Sequence, residues 1–165
     1  NMFVFFFSRR KRHTRSSTVS WARRCVEETG GRILGTDLSP AHIRRARAGV
    51  YGPQALRATS PEKRREHFEA AEGGLFRLKA PLAAPVLFEA RSLLDEPASG
   101  PPFDVILCRN VLIYLDEEAR TRVVEILASR LKPGGYMLLG ASDALAAASS
   151  PLTLVRLTND VAYRR

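Results

Sequence analysis

"FDVILCRNVLIYLD", residues 103–116, decides the fold. Its first six residues are almost continuously apolar, the pattern of a central parallel strand covered on both faces. Arg109 and Asn110 interrupt that run before it resumes as Val-Leu-Ile-Tyr and ends at Asp116. A charge and an amide at this point fall at the carboxyl end of the strand. In open α/β sheets, ligands bind in the crevice outside those ends. Asn110 offers donors and an acceptor to a planar base or an amino-acid moiety, and Tyr114 offers a π-face to a cation. The competing reading pairs Arg109 with an acid such as Asp104 and buries Tyr114 in the core, because an unpaired buried charge is costly.

Downstream, Asp116 is an N-cap and Glu117 and Glu118 fill a first helical turn, where the helix dipole favours acids. Val123, Val124, Ile126, Leu127 and Leu131 supply the helix's apolar face, and Lys132-Pro133-Gly134-Gly135 is expected to stop it. YMLLGAS (136–142) reads as the next strand, and LTLVRL…DVAYRR (152–165) as a closing strand pair.

Upstream, "GRILGTDLSPAHIRRARAGVY" (31–51) reads as a buried strand ending at Asp37, then a helix capped by Ser39 with Pro40 in its first position. Ile43, Ala46 and Ala48 give that helix an apolar stripe, and Gly49 ends it. An acid after such a strand is placed to reach ribose hydroxyls, or simply to pair with nearby arginines in solvent. SPEKRREHFEAAE (60–72) reads as a second Ser-Pro-capped helix. GLFRLK (74–79) and VLFEARSLL (86–94) read as strands around a Pro/Ala linker, a small antiparallel excursion whose second strand returns to the main sheet.

The expected architecture is therefore α/β, an open sheet with an antiparallel edge hairpin and a small β insertion. At 165 residues the chain has room for one domain and little more. No stretch approaches the ~20 apolar residues of a membrane span, so no membrane insertion is expected. Cys25 and Cys108 lack a Cys-x-x-Cys spacing, and His13, His42 and His67 form no ligand-like pair. A reducing compartment follows, and no metal site is expected. No histidine stands near Cys108 in sequence, no phosphate-cradling glycine motif is present, and covalent hydrolysis is not expected.

The formal charge of +9 is concentrated at the start. Residues 1–29 hold seven Lys/Arg against Glu27 and Glu28, which leaves 19 basic and 15 acidic residues elsewhere. "FFFSRRKRHTRSSTVSWARRCVEET" has no stable period, and three readings compete for it: a phosphate-binding basic arm, a targeting segment, or sequence foreign to the domain. The third fits best. Arg12–Arg15 and Val19–Val26 match the in-frame translation of sequencing-library adapter DNA, with an index filling Ser16-Ser17-Thr18. Lys11 and Glu27 depart from that match by single bases. The segment 1–29 is accordingly expected to be disordered and non-native, the domain to occupy 30–165, and nucleic acid not to be a partner.

Taken together, "GTDLSPAHIRRARAGVY", "FDVILCRNVLIYLD" and "LKPGGYMLLGASD" resemble the chemotaxis receptor methyltransferase family, CheR. The resemblance runs from about Ile33 to Tyr163, and the Cys-Arg-Asn-Val-Leu-Ile-Tyr segment is its most specific element. It implies a Rossmann-like sheet, S-adenosyl-L-methionine as cofactor, and methyl transfer to glutamate side chains of chemoreceptors, in the cytoplasm. It further implies Asp37 on the adenosine ribose, Ser92 and Leu93 at the adenine, Arg109 and Asn110 along the cofactor pocket, and Tyr114 as the catalytic position beside the methyl. Residues 51–85 would be the receptor-docking insertion, and the partners would be cytoplasmic domains of methyl-accepting chemoreceptors or related signalling proteins.

Two departures stand out. Ser92 occupies a position where the family commonly has Asn, and the segment between Phe68 and Phe76 is shorter than in members that grip a receptor pentapeptide. The pentapeptide-independent type is the expectation. The family's helical domain, first strand and Gly-Glu cofactor loop would all precede residue 32, where the adapter-like sequence stands. On that ground the chain is expected to be a truncated, inactive methyltransferase with an unpaired sheet edge. The alternatives are a non-catalytic signalling module, a basic-arm nucleotide or nucleic-acid binder, and a methyltransferase with a small-molecule acceptor.

Overall fold

The computed structural model describes residues 4–8, 32–80, 86–95, 100–140, 143, 152–157 and 161–165. Its main sheet contains β1 (Val4–Ser8), β2 (Arg32–Asp37), β6 (Val86–Ala90), β7 (Phe103–Cys108), β8 (Leu131–Leu139), β9 (Thr153–Arg156) and β10 (Val161–Arg164). The spatial order is β6-β2-β1-β7-β8-β10-β9. β2 and β6 pair in parallel, as do β7 and β8, while β1 is antiparallel to both β2 and β7. All four parallel-type strands therefore end on one side of the sheet. The closing hairpin of β9 and β10 packs antiparallel onto β8, the edge that the sequence predicts.

At Val4–Ser8, the only described residues of 1–29, β1 departs from the expectation of disorder. Val4–Ser8 fills the slot between β2 and β7, with Val4 opposite both Thr36 and Cys108. The reason is its composition: Val-Phe-Phe-Phe is a strong strand former, and a central slot satisfies its backbone on both sides. The unpaired sheet edge does not arise at this position, because β1 closes the gap. The adapter-like stretches, Arg12–Arg15 and Val19–Val26, lie outside the described residues.

Three helices follow their caps. α1 (Pro40–Ala48) starts at Ser39, whose hydroxyl accepts the His42 N–H, and ends at Gly49 with φ +63°. Such a cap contributes ~1 kcal/mol. Ile43 and Ala46 are buried, whereas Ala48 turns out to face solvent. α2 (Pro61–His67) is capped by Ser60. It stops earlier than expected, because Phe68 begins β4 (Phe68–Ala71), which pairs with β5 (Leu75–Leu78). With β3 (Val50–Tyr51) these strands form a separate antiparallel sheet of order β3-β5-β4. Tyr51 and Phe68 meet edge-to-face at 6.1 Å across it, and burial pushes the Tyr51 hydroxyl pKa above its ordinary value.

α3 (Glu117–Ser129) begins at Asp116, which accepts the Ala119 N–H at 2.8 Å. Its buried Val123, Val124, Leu127 and Ala128 close the core over Ile106, Cys108, Leu131 and Met137. Two expectations need correction here. Lys132-Pro133-Gly134-Gly135 is not a turn before β8 but a bulge within it: Phe103 faces Leu131 while Val105 already faces Tyr136. The extra residues are held from the far side, where the Gly134 N–H donates to the Arg165 carbonyl and the Arg165 N–H to the Gly135 carbonyl. The strand expected over 86–94 ends at Ala90, because Ser92 and Asp95 close a turn there. Among the described residues, no helix is long and apolar enough to cross a membrane.

Candidate cofactor cleft

The carboxyl ends of β2, β6 and β7 enclose a cleft of about 270 Å³. Asp37 and Thr36 come from β2, Arg91, Ser92, Leu93 and Leu94 from the turn after β6, and Val111, Tyr114 and Leu115 from the connection after β7. Val123 of α3 also lines it. The volume lies just below the ~300–1,000 Å³ usual for pockets that take drug-sized ligands, which suits a nucleoside-sized moiety.

Asp37 is fixed from three sides. Its side chain is only 6% exposed. Oδ1 accepts the Ser39 N–H at 2.7 Å, and both carboxylate oxygens stand 3.2 Å from His42 Nδ1. The backbone carbonyl accepts the Arg91 N–H at 3.0 Å, which ties the end of β2 to the end of β6. The anion also sits at the amino end of α1, where the helix dipole is favourable. In the following turn, the Ser92 N–H donates to Asp95 and the Leu94 N–H to the Ser92 hydroxyl at 3.1 Å.

Of the residues marked from sequence, Asp37, Ser92, Leu93 and Tyr114 meet around this one cleft. Arg109 and Asn110 stand at the same end of the sheet, exposed and outside the lining. Asp104 is engaged by Lys132 at 2.7 Å, so the sequence-level pairing of Arg109 with Asp104 is replaced by another partner. Tyr114 is 70% exposed at the cleft mouth rather than core. Asn110 has φ +57°, a left-handed conformation that few residues other than glycine adopt.

Three residues were not picked out as partners or site residues from sequence. His42 lies in the first turn of α1, where side chains lean back towards the helix start, and this brings it over Asp37. Its position five residues after Asp37 across a Ser-Pro cap was the available signal. Thr36 Oγ1 is buried with no hydrogen-bond partner among the described residues, and it lines the cleft. Asp143 is buried at the end of β8, against the β7–α3 connection. Cys108 beneath it is inert: burial first, and the Asp143 charge second, push its thiol up to about 12.

The residues present fit an adenosyl group. A buried acid can hold a ribose diol, branched apolar walls can hold a base, and Thr36 offers an unspent hydroxyl. β1 runs the other way from its neighbours, and Ser8 leaves opposite Arg32, at the end of the sheet away from the cleft.

An α/β sheet with a cleft at its strand ends, closed by an acid after one strand and an aromatic after another, defines a nucleotide-cofactor domain. The chain belongs to the CheR methyltransferase family, matching that family's S-adenosylmethionine-binding domain over residues 17–161. It is 41% identical over 133 residues to a chemotaxis protein methyltransferase of Vibrio parahaemolyticus, covering 80% of this chain and 48% of the relative. A chemotaxis protein methyltransferase 1 of Pseudomonas aeruginosa is 38% identical over 138 residues, 83% of this chain and 50% of the relative. The chain thus spans about half the length of the curated relatives it matches. Among solved structures, the N-methyltransferase NodS of Bradyrhizobium japonicum superposes with a TM-score of 0.47 at 18% identity, over 81% of this chain and 72% of NodS.

Proposed function

We propose that the cleft between β2, β6 and β7 holds the adenosine half of S-adenosylmethionine, and that the chain serves methyl transfer to glutamate carboxylates of chemoreceptor cytoplasmic domains. The observation that carries this reading is the convergence of Asp37, Ser92, Leu93 and Tyr114, from three strand ends, on one cleft. Asp37 takes the ribose hydroxyls, Leu93, Val111 and Leu115 wall the base, and Tyr114 at the mouth turns its π-face to the cationic sulfur. Arg109 and Asn110, on the rim of the same sheet end, are assigned to the outer part of the cofactor and the incoming carboxylate.

When bound, S-adenosylmethionine supplies a methyl carbon that joins the glutamate oxygen while the carbon–sulfur electron pair leaves with sulfur, and no proton moves. The acceptor needs no general base, because a glutamate with pKa near ~4.3 is already ionised at neutral pH. What remains for the protein is alignment, an effect worth up to ~7–11 kcal/mol. The antiparallel sheet of β3, β4 and β5 stands apart from the cleft and is assigned to receptor docking. The exposed charges on this sheet and on α2, which leads into it, are of both signs, Lys63, Arg65 and Arg77 with Glu62, Glu66 and Glu69, so the insertion is not a one-sign electrostatic patch.

Incubating the chain with methyl-tritiated S-adenosylmethionine and a receptor cytoplasmic domain tests this reading against the sequence-based expectation of an inactive, truncated chain: label that mild base releases as methanol, the mark of a glutamyl methyl ester, upholds the first and overturns the second. Label that survives base would instead mean methylation on nitrogen and would remove the glutamate assignment.

A further inference from the structure

Asp143 is 3% exposed, and its carboxylate accepts three backbone N–H groups. The Asn110 N–H donates to Oδ2, the Ile113 N–H donates to Oδ1 at 3.0 Å, and the Gly140 N–H donates to Oδ2 at 3.2 Å. Two of these donors lie in the β7–α3 connection, and the third follows β8. One anion thus ties two sheet-end segments together across some thirty residues of sequence.

The site is built around that anion. Asn110 is the one described non-glycine residue with positive φ, at +57°, and its left-handed turn aims its N–H at Asp143. Gly140 leaves no room for a side chain: a Cβ there would fall 2.5 Å from Asn110 Oδ1, 2.7 Å from Asp143 Oδ2 and 2.9 Å from the Asn110 nitrogen. Buried carboxylates persist when their lone pairs are filled by fixed donors, and here three main-chain donors fill them.

The segment held this way forms one wall of the cleft. Leu112 is fully buried beneath it, and Val111, Tyr114 and Leu115 face the cavity. We propose that Asp143 is a positioning residue, whose clamp on the Asn110 and Ile113 amides sets Tyr114 and Val111 against the cofactor. The cofactor half of this statement rests on the reading of the cleft given above.

Amide exchange on the full chain, labelled with nitrogen-15, separates the two halves. In the unaltered chain the Asn110 and Ile113 amides should exchange as slowly as those of β7. Exchange at the rate of open loop amides would overturn the clamp, and this readout does not depend on any variant folding. Asp143→Asn keeps the shape but removes the charge and one acceptor oxygen. It should speed exchange at Asn110 and Ile113 at least tenfold relative to Ile106 and Leu138, and weaken S-adenosylhomocysteine binding at least tenfold. Asp143→Glu, which keeps the charge, should recover part of both. Faster exchange with unaltered affinity would overturn the positioning role. An unaltered chain that binds no S-adenosylhomocysteine at all would sink the cofactor reading, and the positioning role with it, while slow exchange would still uphold the clamp.

Discussion

Deletion of residues 1–8 is expected to abolish cooperative folding. β1 makes five residue pairs with β2 and four with β7, and it is the sole link between those strands in the sheet. Without it, both lose a neighbour along their length in the middle of the sheet. Each backbone hydrogen bond is worth ~0.5–1.5 kcal/mol net, and an unmade one costs more when it is buried. The combined loss is of the order of the ~5–15 kcal/mol that holds a domain together. Urea titration followed by far-ultraviolet circular dichroism checks this. The shortened chain should lose its sharp transition. A midpoint equal to that of the parent chain would show β1 to be dispensable.

Asp37→Asn should lower affinity for S-adenosylmethionine by ~10- to 100-fold, from hydrogen bonds to a charged acceptor worth ~1.5–3 kcal/mol at tenfold per 1.4 kcal/mol. The substitution keeps one oxygen for the Ser39 N–H, so the start of α1 survives. Equilibrium dialysis with labelled cofactor measures the effect, and the melting transition checks that the fold persists. Unchanged affinity in a folded variant would remove Asp37 from the site. The lost anion also frees His42 Nδ1, which now stands 3.2 Å from both carboxylate oxygens. Some loss of stability is therefore expected alongside the loss of binding.

The parts of the fold that were legible in the sequence are those fixed by neighbours along the chain. Ser39-Pro40, Ser60-Pro61 and Asp116-Glu117-Glu118 announce helix starts, because capping is local chemistry. The apolar run of β7 announces a strand buried on both faces, and the acid after β2 announces the cleft. What was misread depends on distant partners. Phe68–Ala71 continues a helical pattern in sequence, yet Leu75–Leu78 captures it as a strand. Lys132–Gly135 has turn composition, but Arg165 pins it as a bulge inside β8. In sequence β1 merges with the basic run that follows it, although its own four apolar residues suit a central slot. Asp143 was illegible for the same reason: its three donors are backbone groups, and no residue type marks them.

The most direct test of the account is a calorimetric titration of the intact chain with S-adenosylhomocysteine, repeated in the presence of adenosine and then of methionine. The cleft described here grips through a ribose acid and apolar base walls. The expected result is saturable binding at one site per chain, displaced by adenosine and insensitive to methionine. Absence of saturable heat, or displacement by methionine alone, would contradict the assignment of this cleft to the adenosine half of the cofactor.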